Sequence, residues 1–224
     1  MLSFCFYTHT QLQILPNMDK RIFFVTGIDT GIGKTLISAI LTEALEADYH
    51  KMIQAGIEER DIEFITSMIS NSKSTIHSES VLLKAPMSPH AAAKLEHLEI
   101  SINQLTIPHT DNPNLIIEGA GGLMVPYNSN DTFLDWLKLH PEVEIILVSK
   151  NYLGSINHTM LTLEVLKQHN LPVYGLIFNG EINHETESVI LDKYNINYLG
   201  RVLNEDTITP STVKKYADFF KKKF

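Results

Sequence analysis

The feature that most constrains this chain is a series of short apolar runs that do not alternate. "RIFFVTG" (21–27), "NLIIEGAGG" (114–122), "VEIILVS" (143–149) and "PVYGLIFN" (172–179) are apolar at successive positions. A strand with one wet face alternates apolar and polar residues, whereas a continuous run is covered on both faces. Between these runs lie segments of helical spacing. "KTLISAILTEALE" (34–46) places Leu36, Ile40 and Ala44 on one stripe, and "RDIEFITSMIS" (60–70) repeats isoleucine at 62, 65 and 69. "DTFLDWLKLH" (131–140) reads as a helix capped by Asp131, and "INHTMLTLEVLKQHN" (156–170) as a strongly apolar helix. Strand and helix therefore alternate, which predicts an α/β fold: a mostly parallel sheet flanked by helices in a three-layer sandwich.

Weaker signals fill the gaps. "YHKMI" (49–53) and "SVLLKAP" (80–86) read as short strands, and "SPHAAAKLEH" (88–97) as a helix with proline in its first turn. "HETESVILDKY" (184–194), "NYLGRV" (197–202) and "TPSTVKKYADFFKKKF" (209–224) read as helix, strand and closing helix. No repeat or interdomain linker is visible, so residues 18–224 are expected to form one domain. The stretch 1–17 lacks the charged start and cleavage site of a signal peptide. It is read as a non-native or disordered extension, with Met18 the expected start.

With 18 Lys+Arg against 26 Asp+Glu, the net charge of −8 argues against a general nucleic-acid binder, which needs a basic face. No apolar run reaches membrane-spanning length. The single cysteine, Cys5, fits a reducing cytoplasm.

The chemistry begins at "TGIDTGIGKT" (26–35). The common phosphate loop is G-x-x-x-x-G-K-[ST]. Here the first glycine, Gly27, stands one place too early, and Ile28 occupies its usual position. The Gly33-Lys34-Thr35 end is intact, and the loop follows a strand and opens a helix, which is the placement a phosphate loop needs. The amides of Thr30, Gly31, Ile32, Gly33, Lys34, Thr35 and Leu36 can converge on phosphate oxygens at a helix start of partial positive charge. Lys34 can reach the β and γ phosphates, and the Thr35 hydroxyl can ligate Mg²⁺.

With this loop, the motifs "KMIQAG" (51–56), "APMSPHAAA" (85–93), "IIEGAGGLMVP" (116–126), "LGSINHTMLT" (153–162) and "FN" (178–179) follow in order. Together they resemble the dethiobiotin synthetase family over about residues 20–206. The resemblance implies a P-loop NTPase-like fold and an ATP-dependent cyclo-ligase of biotin biosynthesis. ATP is its co-substrate and Mg²⁺ its metal; 7,8-diaminononanoate and CO₂ or bicarbonate are its other substrates. It also implies a homodimer with the substrate site at the subunit interface, without nucleic acid or membrane.

Residue by residue, the resemblance makes Lys51 and Lys34 the catalytic lysines. Thr35, Asp61 and Glu118 become the metal-associated oxygens. Gly119, Ala120 and Gly121 join the ATP site, and Asn179, Leu203 and Asn204 flank the adenine. Ala55, Ser88, Gly122, Gly154, Ser155 and Asn157 are assigned to substrate. Plain readings stand beside several of these: Asp61 as a helix-start cap, Glu118 as a turn acid, Lys51 as an exposed strand-end lysine and His158 as a packed helix residue. The chain also departs from the family, which usually has K-P-V and then Ser or Thr before the last glycine. Here Met52 and Ala55 stand at those places, and Gly31 replaces an acid found in some relatives.

A rival reading is a partner-regulated switch ATPase of the partition or septum-positioning kind. Those loops read K-G-G-x-G-K-[ST], and Asp29 stands where their signature lysine would be. The tail "VKKYADFFKKKF" would serve that reading as a basic amphipathic membrane anchor, or else is an ordinary terminal helix.

Overall fold

A computed structural model of the chain describes residues 20–224. The expectations for residues 1–17, Cys5 and Met18 lie outside the described residues. The elements run β1 (Arg21–Gly27), α1 (Lys34–Leu45), β2 (Asp48–Lys51), β3 (Ile53–Ala55), α2 (Asp61–Met68), β4 (Ile76–His77), β5 (Val81–Leu83) and α3 (Pro89–Leu95). They continue with β6 (Asn114–Gly122), α4 (Phe133–Leu139), β7 (Val143–Lys150), α5 (Ser155–Gln168), β8 (Val173–Asn179), α6 (His184–Tyr194), β9 (Tyr198–Val202) and α7 (Pro210–Phe220).

Seven strands form one sheet in the order β4-β2-β6-β1-β7-β8-β9, and every pair in it is parallel. Both faces are covered, as the unalternating runs require. Phe23 and Val25 of β1 pack with Ile37, Ile40 and Phe220 on one face; Ile22 and Phe24 pack with Ile117, Trp136 and Leu137 on the other. Phe23 and Phe24 are fully buried, each burial contributing about 1.5–3 kcal/mol. β1 is central, and the chain leaves it toward β2 and β6 on one side and β7 to β9 on the other. The crevice beyond the carboxyl end of such a switch-point strand is where open α/β sheets hold ligands.

Several local expectations change. The run 49–53 is two strands, because the chain leaves the main sheet at Met52; β3 then pairs with β5 in a separate two-stranded sheet. The strand expected over 80–86 is therefore shorter and lies outside the main sheet. β4 has no counterpart in the sequence reading: at two residues it is too short for any periodicity. Asp131 does not cap α4. Thr132 does, in a reciprocal box with Asp135, while the Asp131 backbone N–H donates to Asn128 Oδ1. α1 is buried well beyond its expected stripe, with Ile37, Ser38, Ala39, Leu41 and Thr42 all inside, because α2 and α7 cover it as well as the sheet.

Candidate active site

The loop between β1 and α1 lies over the carboxyl edge of the sheet. Gly33 holds the N-cap of α1 at φ +92°, and a Cβ there would sit 2.1 Å from Asn179 Nδ2, so only glycine fits. The loop is tied down at both ends. The Ile28 N–H donates to Val148 O at 3.2 Å, and Asn179 Nδ2 donates to Ile32 O at 2.8 Å. Ile28 and Ile32 are buried, while Asp29, Thr30 and Gly31 are exposed. Lys34 curls back and donates to Asp29 O at 2.9 Å. Burial lowers its pKa to about 8, against the pull of Glu118.

Strand register builds the charged centre. Lys51 is the β2 partner of Glu118 on β6, and Val25 of β1 lies on the other side of Glu118. The fully buried Glu118 carboxylate accepts from Lys51 Nζ at 2.8 Å and from the Tyr49 hydroxyl at 3.0 Å. Lys51 Nζ also lies 2.5 Å from Asp61 Oδ2 and donates to Gly119 O at 3.0 Å. The Thr35 hydroxyl is 3.0 Å from Asp61 Oδ1 and 3.2 Å from Glu118 Oε1, its one hydrogen serving one at a time. Burial works against the charge on Lys51, but Glu118 and Asp61 outweigh it and raise its pKa. Burial, then Glu118, holds the Tyr49 phenol well above its usual value.

These contacts close the plain readings. Lys51 is buried rather than an exposed strand end, and Glu118 lies within β6. Arg60 occupies the N-cap of α2, so Asp61 is the first helical residue and its carboxylate turns toward Thr35 and Lys51. Tyr49 was missed. Its signal was period-two spacing, since Tyr49 and Lys51 share one face of β2.

The glycines after Glu118 bring β6 against the loop: a Cβ on Gly122 would lie 3.2 Å from Gly27 O, and Gly121 has φ +69°. Ala120 lies between Gly119 and Gly121 in the strand. Beside this edge is a cleft of about 330 Å³ lined by Ile28, Asp29, Leu123, Val125, Leu161 and Val165 among others. At the far end of the edge, Asn179 closes β8, and Leu203 and Asn204 follow β9. The Leu203 N–H donates to the Tyr216 hydroxyl at 3.2 Å, and Asn204 Nδ2 donates to Glu181 Oε1 at 3.2 Å.

The residues assigned to substrate are more dispersed. Ala55 ends β3; Ser88 is the N-cap residue of α3, without a side-chain capping bond. Gly154 caps α5 at φ +102°, Ser155 is buried and Asn157 is exposed. Among the described residues no hydrogen bond joins these five to the Lys51 cluster. His158 is half-buried and paired to the Tyr152 hydroxyl at 2.8 Å rather than packed in the core.

A family model described as an AAA domain matches residues 21–212. An ATP-dependent dethiobiotin synthetase of Cytophaga hutchinsonii is 47% identical over 195 residues, covering 87% of this chain and 94% of the relative. This chain belongs to the dethiobiotin synthetase family. The enzyme of the same name from Christiangramia forsetii is 42% identical over 204 residues, covering 91% of this chain and 97% of its own. A solved ParA family ATPase from Chlorobium tepidum shares the fold, at TM-score 0.52 and 16% identity, covering 91% of this chain and 92% of that one.

Within a dethiobiotin synthetase frame, Met52 gains a structural reason. Its N–H donates to Glu118 O at 3.0 Å, and its carbonyl accepts from the Val81 N–H at 3.0 Å. It links the main sheet to the β3-β5 pair, and a proline there would lack the first of these bonds.

Proposed function

We propose that this chain joins CO₂ to 7,8-diaminononanoate and closes the ureido ring of dethiobiotin with ATP. The observation that carries the reading is the Lys51 ammonium, held by Glu118 and Asp61 beside an intact phosphate loop. One substrate amine attacks CO₂ and forms a carbamate. A carbamate oxygen then attacks the γ-phosphorus, and ADP leaves. The second amine attacks the carbonyl carbon of this mixed anhydride, and phosphate leaves as the ring closes. Phosphoryl transfer asks mainly for positioning and charge neutralisation. The loop amides and Lys34 hold the triphosphate, and Lys51 steadies the carbamate and the transferring phosphoryl group. The cleft beside Leu123 and Val165 takes the aliphatic part of the diamine, and the amides at Gly154 to Asn157 take its carboxylate.

The donor set fits Mg²⁺. Thr35, Asp61 and Glu118 offer hard oxygens at one point, and Mg²⁺ is typically held by one or two carboxylates together with substrate phosphates. When bound there it neutralises charge on the β and γ phosphates. We further infer a cytoplasmic homodimer. Leu153, just before α5, and Ile156 and Leu161 on it are large apolar residues left exposed, and a patch of such residues is what an interface covers.

The switch ATPase reading loses its support. Asp29 stands in place of the signature lysine, and α7 turns its apolar stripe of Val213, Tyr216, Ala217 and Phe220 against the core, with Phe219 its one large apolar side chain left exposed. Among the described residues no helix is long and apolar enough to cross a membrane. The deciding experiment measures phosphate release from Mg-ATP with and without the diamine and bicarbonate. Release should need both, and labelled bicarbonate should enter an acid-stable product. Release at the same rate without the diamine would overturn the proposal.

A further inference from the structure

Asp61 reaches the charged centre from a short helix with little to fix it. α2 has eight residues and fully buries only Ile65. Ile62, Phe64 and Met68 are partly buried against the core. Apolar packing of that kind is non-directional and leaves the position of a short helix along its axis weakly specified. Polar contacts specify it instead, at both ends: just past its last turn Ser70 and Asn71 donate to the Glu43 carboxylate of α1, and a second set gathers at its first turn. The Asp61 backbone N–H donates to Gln54 Oε1 at 3.2 Å. Gln54 is itself buried, and its Nε2 donates to Gly56 O at 3.1 Å, which sets the amide's orientation. One residue earlier, Arg60 Nη2 donates to Glu79 Oε1 at 2.8 Å and Oε2 at 2.7 Å, and Arg60 Nε donates to Oε1 at 3.0 Å. The Glu79 side chain is 3% exposed. The first turn of α2 is thus held from two sides, by β3 through Gln54 and by the β4–β5 connection through Glu79.

We propose that Gln54 and the Arg60–Glu79 pair are positioning residues, which act through Asp61 to set its carboxylate for the divalent cation of the reaction. The inference rests on the assignment of Asp61 to the metal made above. A planar, multiply hydrogen-bonded arginine–carboxylate pair fixes direction as well as distance, and so controls where the next residue's side chain can point. Loss of groups that orient a metal-binding carboxylate typically weakens metal affinity by 10–100-fold.

The test is a Mg²⁺ titration at fixed AMPPNP, followed by calorimetry, with AMPPNP binding in EDTA as the reference. Glu79→Gln and Gln54→Met should raise the half-saturating Mg²⁺ concentration about tenfold. Metal-free AMPPNP affinity should not change, because the loop amides and Lys34 are untouched. Asp61→Asn should raise the same concentration at least as far, and Gln54→Met should add nothing in the Asp61→Asn background. A purely structural role would instead lower metal-free and metal-dependent binding together, and would add to Asp61→Asn; either result overturns the proposal. A shifted Asp61→Asn with unshifted Gln54→Met and Glu79→Gln sinks the positioning role alone. An unshifted Asp61→Asn sinks the metal assignment and this inference with it. If Glu79→Gln does not fold, Gln54→Met, neutral and of similar size, carries the test.

Discussion

The carboxyl edge of the sheet has two halves built on different physics. At the ends of β1, β2 and β6, ionised groups press on one another: Lys51 against Glu118 and Asp61, with Thr35 and Tyr49 completing their bonds. At the ends of β7, β8 and β9, charged side chains mostly hold backbone. Arg201 Nη1 donates to Gly180 O at 2.8 Å and Glu181 O at 3.0 Å. Its partner Glu187 accepts from the Asn183 N–H at 2.8 Å and from Asn151 Nδ2 at 2.6 Å. Charge in the first half lies against Thr35 of the phosphate loop, where the proposed reaction takes place. In the second half it fixes the shape of the loop after Asn179. The difference predicts that damage to the first half appears in turnover and damage to the second in nucleotide affinity and stability.

The largest expected effect on turnover is at Lys51. Lys51→Ala removes the charge proposed above to steady the carbamate and the moving phosphoryl group. Losing a group that stabilises developing charge costs about 2.7–4 kcal/mol, on the order of 10²–10³ in rate. Coupled phosphate release should fall by at least that factor, while ATP still binds through the loop amides and Lys34. A wild-type coupled rate would remove Lys51 from the mechanism and erase the contrast between the halves.

Next is Arg201→Met, which strips the cation from a largely buried pair and leaves Glu187 uncompensated. Breaking such a pair from one side costs about 3–5 kcal/mol. The expected outcome is a clear drop in unfolding free energy, seen in a urea melt, and a raised KM for ATP. At saturating ATP kcat should stay near wild type. A kcat loss as deep as that of Lys51→Ala would mean that the second half also takes part in the chemistry.

The same contrast governs what could be read from the residues alone. In the first half spacing alone announced only the phosphate loop, Gly33-Lys34-Thr35; Lys51 and Glu118 were singled out by the family resemblance, and their contact with each other appears only in the folded chain. The sheet was legible because unalternating runs admit few folds. Arg201, Glu187 and Asn151 were invisible. They bond to carbonyls and amides whose directions exist only once β8 and β9 are paired, and no spacing rule announces such a network. Gln54 and Glu79 escaped for the same reason. Asp131 was misread because two neighbouring residues could both cap, and only the Thr132–Asp135 box decides between them.

A smaller effect sharpens the picture inside the first half. Tyr49→Phe removes one hydrogen bond to the buried Glu118 carboxylate and little volume. A hydrogen bond to a charged group contributes about 1.5–3 kcal/mol. Stability should fall by roughly that amount, and kcat should fall only a few-fold because Lys51 and Thr35 still fix Glu118. An unchanged melting curve would show that the phenol contributes nothing to holding the carboxylate.

The smallest effect is a proton count. Burial lowers Lys34 to about 8, from the 10.5 of a free lysine, so near pH 8 a substantial fraction of nucleotide-free sites carry it uncharged. Phosphate oxygens favour the ammonium form, so nucleotide binding must draw in a proton. Calorimetry of AMPPNP binding near pH 8, repeated in buffers of different ionisation enthalpy, should report net uptake that vanishes well below that pH and is absent in Lys34→Arg. The stability of the nucleotide-free protein carries the same signature. Between about 8 and 10.5 the unfolded chain holds a proton on Lys34 that the folded chain has released. Unfolding therefore takes up a proton in that window, and the contribution of this group to stability rises with pH across it. Bound nucleotide, by restoring the charge, should flatten that rise. Uptake of equal size in Lys34→Arg would assign the proton to another group and leave the loop lysine charged throughout.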